Sequence, residues 1–368
     1  MGLHLIPHDL NIDFVGFRKI AYIVSIILVL AGMGSLAAKG GPKFGIDFAG
    51  GVTAHIKFEE PVSDEDLKAS LAGSDLPGLV VQKYGDDGQN YLLRLSAVEE
   101  GTESVSTMVK EALNTHLKGK KYDILRLEMV GPKVGADLRG KAIEALYFSI
   151  LVVAVYISGR FEHRWVTALL MAGVLGGAMY GLSYFGISKL YLTPAAVLLT
   201  LFLFWKFKLV FAMGAIVSML HDVLITVGIF SLLDKEFDLT IIAALLTVVG
   251  YSLNDTIIVY DRIRENIRGD FTTPLAEIIN RSINQTLSRT VLTSGTTLLV
   301  ITSLLIFGGG IIHDFALVMF IGVIVGTASS IFVASPILLA FGDSINREPP
   351  QKEDRRPRDS DGRLAAQV

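Results

Sequence analysis

Long apolar runs dominate this chain and leave few folds open to it. A helix needs about 20 mostly apolar residues to cross roughly 30 Å of hydrocarbon. Runs of that kind lie at 20–38, 142–158, 166–185, 190–205, 209–232, 239–260, 290–307 and 315–341. The expected fold is therefore a polytopic α-helical membrane protein with eight spans. The run at 142–158 is short and the run at 190–205 shorter still, so either is a candidate for a partly re-entrant segment. A six-span arrangement, with 166–205 lying differently, is the alternative. Composition agrees with a membrane chain: 51% of the residues are hydrophobic and 19% charged, against about 25% charged in soluble domains. Arg18 and Lys19 precede the first run, and Ser35-Leu36-Ala37-Ala38 offers the small residues of a cleavage site. The run nevertheless exceeds the roughly 7–15 apolar residues of a signal peptide, so it reads as an uncleaved anchor.

Basic residues set the orientation of such a bundle. Arg18 and Lys19 lie before the first span, Arg160 and Arg164 after the second, and Lys206 and Lys208 between the fourth and fifth. Arg262, Arg264, Arg268, Arg281 and Arg289 follow the sixth, and Arg347 to Arg363 crowd the tail. With eight spans all of these fall on one side, opposite Lys189 and Lys235. Both termini (1–19 and 343–368) are then cytoplasmic, and the polar stretch 39–141 is outside. The charged, proline-bearing tail reads as disordered. Net charge is only −3, which gives no reason to expect nucleic acid as a partner. Cysteine is absent, which removes disulfides, thiolate metal sites and a cysteine nucleophile.

The outer stretch has a legible order. Residues 51–58 alternate and are rich in Val, Thr and Ile, so they read as a strand. Ser63 followed by Asp64, Glu65 and Asp66 marks a helix start, with Ser63 as N-cap, and that helix ends near Gly73. Strands are expected at 79–84 and 90–96, joined across Gly85-Asp86-Asp87-Gly88. A helix at 102–118 and a strand at 122–130 complete a β-α-β-β-α-β order, which is the ferredoxin-like pattern. No catalytic constellation lies within it. Gly135 to Ala142 matches P-loop spacing until Ala142 takes the place of the magnesium-binding hydroxyl, so it reads as a juxtamembrane helix start.

Ionisable residues inside spans carry the functional signal, because a mid-bilayer carboxylate costs about 2.5–3.5 kcal/mol on insertion scales. Asp255, with Asn254 before it, lies within 239–260, and His221 and Asp222 lie within 209–232. A carboxylate in low dielectric takes up a proton more readily, which suits Asp255 to proton exchange. Its bland reading is a hydrogen-bonded group that fixes helix packing. That reading weighs as heavily as the functional one for Asp222, and more heavily for His221. Arg289 opens the seventh span and is placed to counter Asp255, or simply to anchor the span on its basic side. Thr290, Thr293, Ser294, Gly295, Thr296 and Thr297 form a small-residue surface for close packing or a polar wire. Gly322, Gly326, Ala328, Ser329 and Ser330 repeat it.

Several segments together resemble the SecF family of protein-export membrane subunits. They are Gly45-Ile46-Asp47-Phe48-Ala49-Gly50-Gly51, Val130-Gly131-Pro132-Lys133-Val134-Gly135, Arg160-Phe161-Glu162 and His221-Asp222-Val223. Gly250-Tyr251-Ser252-Leu253-Asn254-Asp255-Thr256, Asp261-Arg262-Ile263-Arg264-Glu265-Asn266 and Ser288-Arg289-Thr290 with Thr293-Ser294-Gly295-Thr296-Thr297 follow in the same order. Gly326-Thr327-Ala328-Ser329-Ser330 completes the set. The resemblance implies an RND-type half-transporter rather than an enzyme, in the bacterial inner membrane with its domain in the periplasm. It implies a partner, SecD, and service to the SecYEG translocon, with YajC and SecA as further partners. Late, ATP-independent steps of preprotein export would be driven by the proton-motive force, with no cofactor or metal. The family's proton-linked residues fall on Asp255 and Arg289, and Asn254 and Asp222 extend the candidate relay. Gly45, Asp47, Gly50, Gly51, Gly131, Gly250 and Thr293 are its signature positions. The family pattern has six spans, so 166–206 reads as an inserted hairpin. A proton-coupled exporter of small molecules or lipids is the competing function, and a non-transporting scaffold is a third.

Overall fold

The computed structural model describes residues 11–74, 76–83, 88–96, 102–117, 120–187 and 189–342. The proposed tail at 343–368, most of the 85–88 turn and the first ten residues lie outside them.

The outer part follows the expected order: β1 (Gly51–Phe58), α3 (Asp64–Leu71), β2 (Val80–Lys83), β3 (Asn90–Leu95), α4 (Thr102–His116) and β4 (Tyr122–Val130). The strands form one sheet in the order β2-β3-β1-β4, antiparallel throughout. Alternation fixes the buried face. Val52, Ala54, Ile56 and Phe58 of β1 point inward, as do Tyr91, Leu93 and Leu95 of β3. In register, Ala54 faces Leu93 and Ile56 faces Tyr91. They pack on Leu67 and Leu71 of α3 and on Val109 and Leu113 of α4. Helices on one face and water on the other is what period-two alternation encodes. Tyr91 buries its ring against Phe58 and donates its hydroxyl to Val62 O at 2.6 Å, so its polar end is satisfied. Ser63 does occupy the N-cap position of α3, but its side chain makes no capping hydrogen bond. The acids of the first turn remain to complement the helix dipole.

The membrane part comprises α1 (Arg18–Ala38), α5 (Pro132–Glu162), α6 (Trp165–Tyr184), α7 (Lys189–Lys206), α8 (Val210–Leu232), α9 (Leu239–Gly269), α10 (Leu275–Phe307) and α11 (Gly309–Ser329). A π turn at Ser330–Ala334 and α12 (Ser335–Ala340) end it. Among the described residues, seven helices are long and apolar enough to cross a membrane, the last running from Ile312 to Ala340. The run expected as the fourth span is a shorter apolar helix, Tyr191–Lys206, with Pro194 inside α7.

Three helices outrun their apolar stretches. The α5 helix begins at Pro132, so the P-loop-like spacing at 135–142 is plain helix and forms no phosphate loop. The α9 helix continues to Gly269 and α10 begins at Leu275. The basic residues 262–289 therefore lie mostly on two helical extensions, where the charge pattern alone suggested a loop. Their helical rows are apolar inside: Ile263 and Ile267, then Ile279, Ile283 and Leu287, are all buried.

Glycine lets helices touch backbone to backbone. A Cβ on Gly228 of α8 would stand 2.7 Å from Gly32 Cα of α1, and one on Gly326 of α11 would stand 2.8 Å from Ser252 Cβ of α9. Gly322 meets Val248 still more closely. The small-residue stripe read at 322–330 thus packs against α9. That at 293–297 divides: Ser294 is buried, Thr293 half-buried and Thr296 exposed, and a Cβ on Gly295 would meet nothing within 4 Å.

Candidate functional site

Two buried carboxylates sit where α8, α9, α10 and α11 meet. Asp255 and Asp222 are each 1% exposed. Asp255 lies on α9, whose apolar face turns every third or fourth residue toward the bundle: Leu245, Val248, Ser252, Asp255, Thr256 and Val259 are all buried. Asp255 Oδ2 accepts from Ser294 Oγ of α10 at 3.0 Å. Ser294 Oγ in turn lies 2.7 Å from Thr327 Oγ1 of α11, which donates to Val323 O at 2.7 Å. Asp255 Oδ1 has no hydrogen-bond partner, and neither does Thr290 Oγ1, one turn before Ser294; both are buried.

Asp222 is served differently. Its Oδ2 accepts from Ser252 Oγ at 2.5 Å and Ser329 Oγ at 2.8 Å, and its Oδ1 meets His221 Nδ1 at 2.9 Å. Ser218 Oγ donates to Ser329 Oγ at 2.9 Å. Both oxygens are therefore occupied. Ser252 stands one turn before Asp255 on α9, so the two clusters adjoin.

The second oxygen separates them: Asp222 has both oxygens occupied, while Asp255 leaves Oδ1 without a partner. Around Asp222 the hydroxyls of Ser252 and Ser329 and the imidazole of His221 all reach the carboxylate, and Ser329 Oγ has a further acceptor in Gly326 O at 3.1 Å. Around Asp255 three contacts link Asp255, Ser294, Thr327 and Val323 O, and the two hydroxyls carry two protons. A proton on Asp255 completes the chain in one direction: Asp255 to Ser294, Ser294 to Thr327, Thr327 to Val323 O. A hydroxyl offers one donor and two acceptor lone pairs, so the chain obeys its chemistry.

The other candidates are placed unequally. Arg289 is exposed and makes no ion pair with Asp255. Asn254 is exposed on the neighbouring flank of α9, Gly250 has open space around it, and Thr293 donates to Arg289 O. The sequence reading missed Ser252 as a ligand of Asp222. A serine one turn from a buried aspartate is the signal that was there.

Asp47 and its glycines belong to a second place, the joint between the outer domain and the bundle. A short helix α2 (Ile46–Ala49) packs on the start of α5 and reaches α9 through Asp47. Gly50 takes φ +77°, and a Cβ there would meet Pro132 Cα at 2.9 Å; Gly135 comes as near to Gly50 N. Gly45 N donates to Phe237 O at 2.8 Å, and Phe237 N to Lys43 O at 2.8 Å. Asp47 Oδ2 accepts from Leu239 N at 3.0 Å, while Asp238 caps the same helix from Ile241 N at 2.8 Å. Two carboxylates thus hold the N-terminus of the helix that bears Asp255. Burial holds the Asp238 carboxyl above the usual range, with the helix amides pulling it back and Asp47 pushing further up. Gly131 is open and takes no close contact.

Comparison with known proteins gives the family. The description "Protein export membrane protein SecD/SecF, C-terminal" fits residues 109–198 and 185–344, two segments that meet in the α6–α7 hairpin. The protein translocase subunit SecF of Calditerrivibrio nitroreducens is 36% identical over 339 residues, covering 91% of this chain and 96% of the relative. That of Magnetococcus marinus is 38% identical over 341 residues, covering 92% and 94%. The chain belongs to the SecF family. Among solved structures it is similar to SecDF of Thermus thermophilus, a translocon-associated membrane protein, with 33% identity and a TM-score of 0.66 over 93% of this chain. It spans 40% of that longer chain. A super-membrane-facing form of SecDF gives 34% identity and a TM-score of 0.54. As a SecF-family chain with these helices, it is a multi-pass membrane protein.

Proposed function

We propose that this chain is the SecF half of a SecD–SecF accessory to the Sec translocon, and that proton entry at Asp255 drives it. The match to only part of a SecDF chain supports SecD as the other half. SecYEG is then the channel served, preproteins the cargo, and YajC and SecA further partners, in a bacterial inner membrane. The four-stranded sheet is read as a ferredoxin-like periplasmic domain, since its element order and strand order fit that arrangement. Counting α7 as a span gives eight and keeps both termini cytoplasmic, with α6–α7 the hairpin added to six family spans.

The observation that carries the proton role is the unfilled chemistry of Asp255. It has an orphaned, buried Oδ1, beside an Asp222 both of whose oxygens are hydrogen-bonded. Asp255 titrates and Asp222 holds the helices. Protonation exchanges a buried anion that accepts from Ser294 for a neutral donor, which changes what binds α9 to α10 and α11. Because α9 begins under Asp47, its movement is delivered to the outer domain.

The test is preprotein export in cells whose only copy carries Asp255→Asn, with SecD association measured in parallel. Asn keeps volume and hydrogen bonding without a titratable charge. Loss of export from an assembled complex is the expected result. Normal export would make Asp255 structural and sink the proton reading.

A further inference from the structure

One cavity, of about 760 Å3, lies against the joint just described and takes no part in the proton site. Phe44 and Phe48 from the linker, Ile143 and Leu146 from α5, and Ile242 and Leu245 from α9 wall it. Each helix contributes the same end. The cavity lies beyond the end of α1, at the first turns of α5 and α9, and at the last turns of α8 through Val227. In a membrane it therefore sits at the outer leaflet.

Its polarity is graded. Arg139 is the single charged residue of the lining, and it is exposed at the mouth. Ala142, Ile143 and Leu146 follow at +3, +4 and +7, on the same face of the helix. Leu146 is then about 10 Å deeper than Arg139 at 1.5 Å per residue. The guanidinium stands 5.1 Å over the Phe44 ring, a stacking that orients it. No carboxylate in the lining neutralises it. Sites for polar small molecules place several convergent polar groups inside an apolar pocket. Here no side chain of the lining other than Arg139 is polar, so the recognition side chain is a cation at the rim. Arginine binds phosphate oxygens through paired N–H donors.

We propose that this cavity binds an anionic phospholipid of the outer leaflet, one acyl chain lying along Ile143 and Leu146 and the phosphate held by Arg139. Its walls include Phe44 and Phe237, whose backbones bridge the linker to the loop before α9. The lipid is thus a third element of the joint between outer domain and bundle.

The experiment uses the full chain, alone and with SecD, in nanodiscs doped with phosphatidylglycerol bearing a diazirine on one acyl chain. Adducts are mapped by mass spectrometry after photolysis. Expected are adducts on the Phe44–Phe48 and Ile143–Leu146 peptides that saturate with probe and yield to unlabelled phosphatidylglycerol but not phosphatidylcholine. Adducts on the open face of α1, at Ile23 and Ile27, serve as the reference for bulk lipid. Leu146→Trp fills the cavity and should cut cavity adducts about tenfold, the equivalent of about 1.4 kcal/mol. Arg139→Gln, at an exposed position that leaves the fold alone, should erase the preference for phosphatidylglycerol. Cavity adducts no stronger than those on α1, or a preference that survives Arg139→Gln, would overturn the proposal. Adducts present in the chain alone but lost with SecD would give the cavity to the partner and overturn it as well.

Discussion

At the scale of single residues, the two buried aspartates are predicted to behave in opposite ways when neutralised. Asp222→Ala leaves the hydroxyl of Ser252 and the imidazole of His221 without their acceptor, and Ser329 with Gly326 O alone. Each orphaned buried donor costs about 1–3 kcal/mol, so the variant should melt at clearly lower temperature in nanodiscs and accumulate poorly. Asp255→Asn removes no bond at Oδ1, which has none, and should melt within a few degrees of the parent. Equal destabilisation by both changes would refute the division of roles. The sequence showed both carboxylates, because a charge in an apolar run cannot be overlooked. Their partners were not legible. Ser252, Ser294, Thr327 and Ser329 look like small packing residues in a membrane helix, and only the fold shows that four of them face acids or one another. The expected Asp255–Arg289 pair was an inference from opposite sign, and with Asp255 buried and Arg289 exposed the two form no direct bond.

At the scale of helices, contact depends on what is missing. Gly228 and Gly32 bring α8 and α1 to backbone contact, and Gly228→Ile must push them apart. Overpacking of this kind costs about 1–3 kcal/mol or more, read as reduced thermal stability; Gly295→Ile, in open space on α10, should be neutral in the same assay. The π turn is a second such device. Pro336 has no N–H to offer the preceding turn. The ladder slips there, and Ala334 O takes the Tyr260 hydroxyl at 2.9 Å while Ser335 Oγ reaches back to Ser330 O at 2.7 Å. Tyr260→Phe removes this hydrogen bond from a fully buried site and should cost about 1 kcal/mol. The N-terminus of α9 gives a pH test. Asp238 is held above its unfolded value, so its share of stability is full below the ordinary carboxylate range and is lost as pH rises through the folded value. Asn caps a helix as well as Asp. Asp238→Asn should therefore gain on the parent at pH 7 and lose that gain as pH approaches 4 in parallel melts; a constant difference would refute the assignment. Hydropathy found the apolar middles of these helices and missed their polar ends. The 3.6-residue rows at 263–267 and 279–287 carried the missing signal under a surface of arginines.

At the scale of the whole molecule, the loop between α8 and α9 is the place where the outer domain meets the bundle. Arg94 of β3 pairs with Glu236, which also lies 3.8 Å from Lys43. Asp234 takes Lys39 at 3.0 Å and Lys43 at 3.2 Å, and Lys235 reaches Asp314 of α11 at 2.7 Å. The Asp234 pairs are exposed and weaken in salt. The Arg94–Glu236 pair is three-quarters shielded on each side and survives it better. Asp47 then ties this loop's end, Leu239 N, to the first helix of the outer domain. An anion at a helix N-terminus contributes about 0.3–1 kcal/mol, too little to decide folding but enough to decide whether two bodies move together. Asp47→Ala should therefore leave membrane insertion and SecD association unchanged. Amide exchange in the first turn of α9, at Leu239 to Ile242, should rise severalfold, since Leu239 N–H loses its acceptor. Export should fall with Asp255 still intact, because the displaced helix no longer carries the domain with it. Arg94→Gln would loosen the same joint from the sheet side, and combining it with Asp47→Ala should add little to the export defect if both act through one linkage. Full additivity, or unchanged exchange at α9, would show that the domain takes its motion from elsewhere, and the coupling through Asp47 would have to be abandoned.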